Sequence, residues 1–114
     1  PLGRDPDDRR RVIVRADGQA AETRYEVIRR WDEHALVRLR PVTGRMHQLR
    51  AHLAAIGHPI AGDPVYALDH PPFPRLMLHA EAITLRVPAI GGARPRTFLA
   101  PMPLDFAFAL ESVA

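Results

Sequence analysis

The sequence contains no cysteine and no lysine, and it has a single serine, Ser112, close to its C-terminal end. The absence of cysteine excludes a disulfide framework, thiolate catalysis and the common cysteine-based zinc sites. A lone serine near the chain end does not favour a serine nucleophile. No apolar run approaches the roughly 20 residues of a membrane span, and no signal peptide pattern is present. We therefore expect a soluble, cytoplasmic protein that does not enter a membrane.

Because lysine is missing, all 16 basic residues are arginine, and the formal net charge is +3 with a pI of about 10.5. Arginine binds phosphate through a planar fork and stacks on bases, so this composition favours a nucleic-acid partner. A GC-rich genome produces the same preference for arginine, and the net charge is modest. Composition alone therefore leaves RNA binding and coding bias open.

The length of 114 residues and the 46% hydrophobic content predict one small domain. Residues 1–9 are polar and rich in Pro and Asp, which predicts a linker or turn. Alternating patterns predict a β-hairpin from strands at 21–31 and 35–40. Further short β-strands are predicted at 12–14, 76–78, 83–87 and 96–100. With a short C-terminal helix that begins near Leu104, the prediction is an α+β fold with an antiparallel or mixed sheet.

One main helix is predicted at about 45–57, with Thr43 as its N-cap and Gly57 as its C-terminal stop. Four apolar side chains recur at helical spacing and are expected to pack on the sheet: Met46, Leu49, Leu53 and Ile56.

The start of this helix collects hydrogen-bond donors: Arg45, His47, Gln48 and Arg50. A cation in the first turn is unfavourable because the N-terminal end of the helix dipole is already positive. Arg45 is therefore expected to face an anion such as a phosphate or a carboxylate. The alternative is that these side chains form an ordinary solvated surface.

Six histidines raise the possibility of a metal site. His47 and His52 are five residues apart and so lie on different helix faces, whereas a helical metal pair needs a spacing of four. We therefore expect no metal ion at these histidines.

The segment 39–66 carries a long, gapped pattern that resembles the signature of the RluA-type RNA pseudouridine synthases. The matching positions are Leu39, Pro41, Thr43–Arg45, His47–Arg50, His52, Gly57, Pro59–Ile60, Gly62–Asp63 and Tyr66. Other stretches resemble the same family in the same order: P-L-G-R-D-P at 1–6, A-E-T-R-Y-E-V at 21–27, L-M-L-H-A at 76–80 and A-P-M-P-L-D-F at 100–106. The resemblance extends over nearly the whole chain.

The resemblance implies isomerisation of uridine to pseudouridine in ribosomal or transfer RNA, without metal or cofactor. Members of the family carry a catalytic aspartate in an H-R-L-D segment and a base-stacking tyrosine in a K-x-Y segment, both upstream of these stretches. Neither segment occurs in residues 1–114. The resemblance therefore implies a single partial domain, the C-terminal part of a catalytic domain, which is inactive alone.

By the same resemblance, Arg50 is expected to form an ion pair with the missing catalytic aspartate. The expected RNA-binding residues are Arg40, Arg45, His47, Gln48 and His79. An incomplete domain is also expected to expose a sheet edge and so to favour dimerisation. Two alternatives remain: a non-catalytic RNA-binding remnant and an unrelated α+β interaction domain.

Overall fold

A computed structural model describes residues 1–69, 73–88 and 90–113 of the chain. The described residues form two compact units, one comprising Pro1–Met77 with Val113 and the other comprising Leu78–Ser112. The strands of the second unit hydrogen bond only to each other among the described residues. The single partial domain stays a prediction.

The first unit begins with an antiparallel hairpin of β1 (Leu2–Asp5) and β2 (Asp8–Val14). The prediction of a linker or turn over residues 1–9 is therefore wrong, except for the short connection between the strands. In that connection the Asp7 backbone N–H donates to Asp5 Oδ1 at 2.9 Å. Such an aspartate turn explains the Pro and Asp content of a segment that is otherwise extended.

A second antiparallel hairpin pairs β3 (Thr23–Arg30) with β4 (Ala35–Pro41), which confirms the predicted hairpin. Tyr25 lies opposite Leu39, and the register shifts between Val27 and Arg29. The regular alternation of side chains in both strands made this element visible in the sequence.

The main helix, α1, spans Gln48–Ala55 and is shorter than the predicted range of 45–57. Its N-cap is His47, in the left-handed conformation with φ of 52°, and not Thr43. The Thr43 hydroxyl instead accepts a hydrogen bond from the Glu22 N–H at 3.0 Å and donates to Gln48 Oε1 at 2.7 Å. Residues before Gln48 therefore form a turn that is tied to the start of β3.

The core of the first unit contains Leu2, Val12, Ala51 and Tyr66. The expectation that Met46 and Ile56 pack on the sheet is wrong, since they are 60% and 57% exposed. Because α1 begins later than predicted, its buried face is formed by Gln48 and Ala51. Tyr66 belongs to the same buried cluster as Ala51 of the helix.

The second unit contains an antiparallel hairpin of β5 (Ala82–Val87) and β6 (Arg94–Leu99). It also contains α2 (Leu104–Val113) except for the last residue of that helix. These elements confirm the predicted strands and the C-terminal helix. The strand predicted at 76–78 is wrong: the Met77 N–H donates to Ala61 O at 2.9 Å, within a loop of the first unit. Two helices and three antiparallel hairpins in the described part of the chain confirm the α+β class.

The two helices contain 8 and 10 residues. Within 1–69, 73–88 and 90–113, no helix is long and apolar enough to cross a membrane.

Candidate functional site

An ion pair joins α1 to the loop that follows it. Arg50 Nε lies 2.8 Å from Asp63 Oδ2, and Arg50 Nη2 lies 2.9 Å from Asp63 Oδ1. The Asp63 side chain is fully buried and that of Arg50 is 16% exposed. This two-pronged geometry is the strongest form of an arginine–carboxylate contact.

Asp63 also orders its own loop, because its Oδ1 accepts the backbone N–H groups of Val65 at 2.9 Å and Tyr66 at 3.1 Å. Burial raises the pKa of Asp63, but the hydrogen bonds from Arg50 and from these two backbone groups outweigh burial and lower it below 3.8. The hydrogen bond to Asp63 raises the pKa of Arg50 above its usual range. The pair is therefore ionised at neutral pH.

Tyr66 is the centre of this site. Its ring lies under two guanidinium groups, with Arg11 Cζ 5.2 Å and Arg50 Cζ 5.3 Å from the ring centroid. Cation–π contacts at such distances are attractive. The Tyr66 hydroxyl accepts the Val12 backbone N–H at 2.7 Å and donates to the Val12 carbonyl oxygen at 2.9 Å. One side chain thus connects β2, α1 and the Asp63 loop.

His47 completes the site from the turn before α1. Its ring lies edge-on to Tyr66 with centroids 6.0 Å apart, and its Nδ1 is 3.3 Å from the Tyr66 hydroxyl. Burial lowers the pKa of His47 below 6.5, the charge of Arg50 lowers it further, and the charge of Asp63 opposes both effects. The imidazole is therefore mainly neutral at pH 7.

Gln48 is 4% exposed, and all its hydrogen-bonding capacity is used within the chain. Its Nε2 donates to Glu22 O at 2.8 Å and to Thr23 Oγ1 at 3.0 Å. Its Oε1 accepts from the Thr43 hydroxyl at 2.7 Å and from the Arg45 N–H at 3.0 Å. An amide offers two donors and two acceptor sites, so Gln48 has none left for a ligand. Its position indicates that it holds the turn before α1 in place.

The other predicted RNA-binding residues lie in different places. Arg45 is exposed and donates through Nε to Ala20 O at 3.0 Å. Arg40 lines a separate shallow groove on the β3–β4 hairpin with Arg24, Tyr25, Glu26 and Arg38. His79 belongs to the second unit, where its Nε2 contacts Ala100 O at 3.0 Å. The structure thus brings together His47, Gln48 and Arg50 near the start of α1, and Arg45 borders them.

The sequence does not predict the contacts that three members of the site make, namely Arg11, Asp63 and Tyr66. Asp63 and Tyr66 belong to the run that resembles the family signature, but the prediction assigns to Arg50 only a carboxylate from outside the chain. Arg11 is one of three consecutive arginines at 9–11, and the sequence does not show which of them contacts Tyr66. In the described part of the chain, no cluster of three or more His, Asp or Glu side chains is arranged to hold a metal ion.

Comparison with known proteins matches residues 5–55 to the family described as RNA pseudouridylate synthase. An uncharacterized RNA pseudouridine synthase of Chloroflexus aurantiacus is 40% identical over 115 residues, which cover 99% of this chain and 36% of that protein. The dual-specificity RNA pseudouridine synthase RluA of Escherichia coli is 44% identical over 99 residues, which cover 84% of this chain and 44% of that protein.

The ribosomal large subunit pseudouridine synthase D of Nitrosomonas europaea is 37% identical over 122 residues, which cover 99% of this chain and 35% of that protein. The chain thus spans between 35% and 44% of the length of these three relatives. Together with the match over residues 5–55, these similarities support the placement of the chain among the RluA-type RNA pseudouridine synthases.

Proposed function

We propose that this chain is the part of an RNA pseudouridine synthase that supplies one wall of the uridine-binding site. The observation that carries the proposal is the arrangement of Arg11, His47 and Arg50 around Tyr66, with both guanidinium groups over its ring. A basic site with an aromatic centre suits a nucleotide, because it offers cations for phosphate and polar groups for the base and sugar.

Arg50 is proposed to act on a catalytic aspartate supplied by an H-R-L-D segment that residues 1–114 do not contain. Asp63 holds Nε and Nη2 of Arg50, while Nη1 hydrogen bonds to no described residue. A guanidinium has five N–H donors, so Nη1 remains available for a second carboxylate. Asp63 then fixes the orientation of Arg50, and Arg50 keeps the catalytic aspartate ionised in a pocket from which the flipped base excludes water.

Cations near the start of α1 are proposed to bind the RNA backbone. The Arg45 side chain is anchored at Ala20, which reduces the entropy that it loses on binding phosphate. On the β3–β4 hairpin Arg24 lies directly opposite Arg40. Like charges that face each other across two strands are destabilising, and an RNA phosphate between them removes that repulsion. His79 of the second unit is proposed as a further RNA-binding residue.

The isolated chain is proposed to bind RNA and to leave its uridines unchanged, since it has no H-R-L-D aspartate. The purified chain is incubated with ribosomal and transfer RNA, and pseudouridine is then detected by chemical labelling and reverse-transcription stops. No new stops are expected, whereas a filter-binding assay shows salt-dependent retention of RNA. Pseudouridine formed by the chain alone overturns the catalytic assignment, and binding that is indifferent to salt overturns the RNA assignment.

An RNA-binding remnant without catalysis is the closest alternative. The coding sequence immediately upstream distinguishes the two proposals. An H-R-L-D segment in the same reading frame supports the enzyme, and its absence supports the remnant.

One specific observation also favours association with a protein surface. The second unit exposes large apolar side chains, with Leu99 at 78% and Leu104 at 76% of their full area. Such exposure favours burial against a partner, and we propose dimerisation of the isolated chain. Light scattering during size exclusion is expected to give twice the monomer mass of 12.8 kDa, and Leu99→Lys is expected to shift the protein towards the monomer. A monomer at every concentration contradicts dimerisation.

A further inference from the structure

The hydroxyl of Tyr66 has one proton and three polar neighbours. The Val12 N–H donates to the hydroxyl oxygen at 2.7 Å, the Val12 carbonyl oxygen lies at 2.9 Å and His47 Nδ1 lies at 3.3 Å. The single proton therefore points either to the Val12 carbonyl or to His47 Nδ1.

Energetics decide between these two directions. Val12 is 6% exposed, so a carbonyl without a donor costs about 1–3 kcal/mol in lost solvation. His47 Nδ1 is farther away, and its residue is only half-buried, so losing the hydroxyl proton costs less there. The hydroxyl proton is held by the Val12 carbonyl, and the contact at 3.3 Å is satisfied only if His47 Nδ1 is the donor.

We propose that Tyr66 fixes His47 in the Nδ1–H tautomer, so that Nε2 is a dedicated hydrogen-bond acceptor for a donor group of the substrate RNA. The tautomer follows from the contacts within this chain, while the identity of the ligand rests on the proposed function. Among the described residues, no side chain or backbone group hydrogen bonds to Nε2 of His47.

The backbone of His47 constrains the position of the imidazole. His47 is the one non-glycine residue of the described chain with positive φ, at 52°. A left-handed residue with a side chain costs roughly 1–2 kcal/mol, and such strain is found where a side chain must be held in one direction. Here it directs the imidazole edge-on to Tyr66 and next to Arg50. Burial and the Arg50 charge also disfavour the imidazolium, in which both nitrogens are donors.

The acceptor nitrogen of His47 and the nearby guanidinium groups together indicate which ligands fit this site. The cations around it attract a phosphate-bearing ligand, and the lone pair of Nε2 requires an O–H or N–H from that ligand. Uridine in RNA offers two such groups, the ribose 2′-hydroxyl and the imide N–H of the base. Tyr66 acts as a positioning residue in this scheme, and His47 is the residue that contacts the nucleotide.

The tautomer is tested first, with no RNA present. Long-range proton–nitrogen correlation spectra of the 15N-labelled chain are recorded at neutral pH. The proposal expects a protonated Nδ1 and an unprotonated Nε2 for His47. In Tyr66→Phe the His47 tautomer is expected to change to the Nε2–H form, whereas Tyr25→Phe, at the exposed tyrosine of β3, leaves it unchanged. An Nε2–H tautomer in the unmodified chain overturns the proposal without reference to any variant.

The ligand is tested next by titration with oligouridylate, with its 2′-deoxy counterpart and with oligo(3-methyluridylate). A hydrogen bond is expected to shift the His47 Nε2 resonance on binding of oligouridylate. Loss of that shift with the deoxy oligonucleotide assigns the donor to the 2′-hydroxyl, and loss with the methylated one assigns it to the base. Binding without any change at Nε2 overturns the acceptor role and leaves the proposed function intact. If none of the three oligonucleotides binds, the proposed function is contradicted. The RNA ligand of His47 is then contradicted as well, even where the tautomer is as expected.

Discussion

Both oxygens of the buried Asp63 carboxylate accept hydrogen bonds from the Arg50 guanidinium, at 2.8 and 2.9 Å. The pair joins α1 to the loop that carries Tyr66. The orientation of Arg50 is thus built into the fold of this chain.

Replacement of Arg50 by methionine removes the cation and leaves the Asp63 carboxylate buried without its partner. Breaking a buried pair from one side costs about 3–5 kcal/mol of the free energy of unfolding. Urea denaturation followed by circular dichroism measures the loss. The control is Arg10→Met, which removes an exposed ion pair with Asp8 and is expected to leave the urea midpoint nearly unchanged. Equal effects of the two substitutions contradict the structural role of the Arg50–Asp63 pair.

Gln48→Met keeps the size of the side chain and removes all four hydrogen bonds of the amide. The Arg45 N–H loses its acceptor, whereas the Glu22 carbonyl still accepts the Val42 N–H at 2.9 Å. A group that stays buried without a partner costs about 1–3 kcal/mol, so a loss within this range is expected. Gln19→Met, at an exposed glutamine, provides the matched control in the same urea titration. A near-neutral Gln48→Met variant implies that water replaces the amide and that the turn before α1 does not depend on it.

Gly62 and Gly57 provide a matched pair of alanine substitutions. Both have positive φ, at 78° and 84°, so alanine strains the backbone at either site. A Cβ at Gly62 also collides with the backbone carbonyl of Arg75, whereas a Cβ at Gly57 meets open space. Thermal unfolding is expected to show a small decrease in the midpoint temperature for Gly57→Ala and a much larger decrease for Gly62→Ala. Similar decreases in the unfolding temperature for both variants mean that the Arg75 backbone moves at little cost to accommodate the added Cβ.

Stability is expected to fall as the pH is lowered from neutrality. Burial is the main cause that lowers the pKa values of His47 and His52 below 6.5, so the unfolded chain takes up protons first. The stability contributed by the neutral imidazoles is complete above pH 6.5 and is lost as the pH falls towards their folded pKa values. Each histidine contributes a slope of up to about 1.4 kcal/mol per pH unit. The Asp63 contribution persists to lower pH, since its pKa lies below 3.8.

Urea titrations between about pH 7.5 and about pH 5 measure this dependence on protonation. His47→Gln is expected to reduce the slope, and His58→Gln, at an exposed histidine, is expected to leave it unchanged. A slope that is the same in all three proteins contradicts the assignment of the pH dependence to His47.

The sequence predicts the elements with regular alternation well, because a strand with one buried face has a period of two. The β3–β4 hairpin is predicted in this way, and Leu104 correctly marks the start of α2. The hairpin at the N-terminus was missed because its composition, with aspartate and proline, is that of a turn. Its pairing depends on contacts with β2 that local composition does not encode.

The site was only partly predictable. The hydrogen-bond donors around Arg50 and the resemblance to a family single out this segment. Helical spacing, however, groups Gln48 with the other donors near the start of a helix that is predicted to begin near 45. With the helix beginning at Gln48, the glutamine is buried and holds the preceding turn. The partnership of Arg50 with Asp63 spans 13 residues and requires the loop to fold back, which no periodicity reveals.

The central claim is that this chain supplies the wall of a pseudouridine synthase site that carries Arg50. The most direct test replaces the matching segment of Escherichia coli RluA, 44% identical over 99 residues, by this chain and measures pseudouridine formation in RNA. A chimaera that unfolds cooperatively is expected to form pseudouridine. Its Arg50→Met variant is expected to lose turnover by at least about a hundredfold while it still binds RNA, since a misdirected catalytic carboxylate costs at least this much. A folded chimaera without activity, or an Arg50→Met chimaera with full turnover, contradicts the claim.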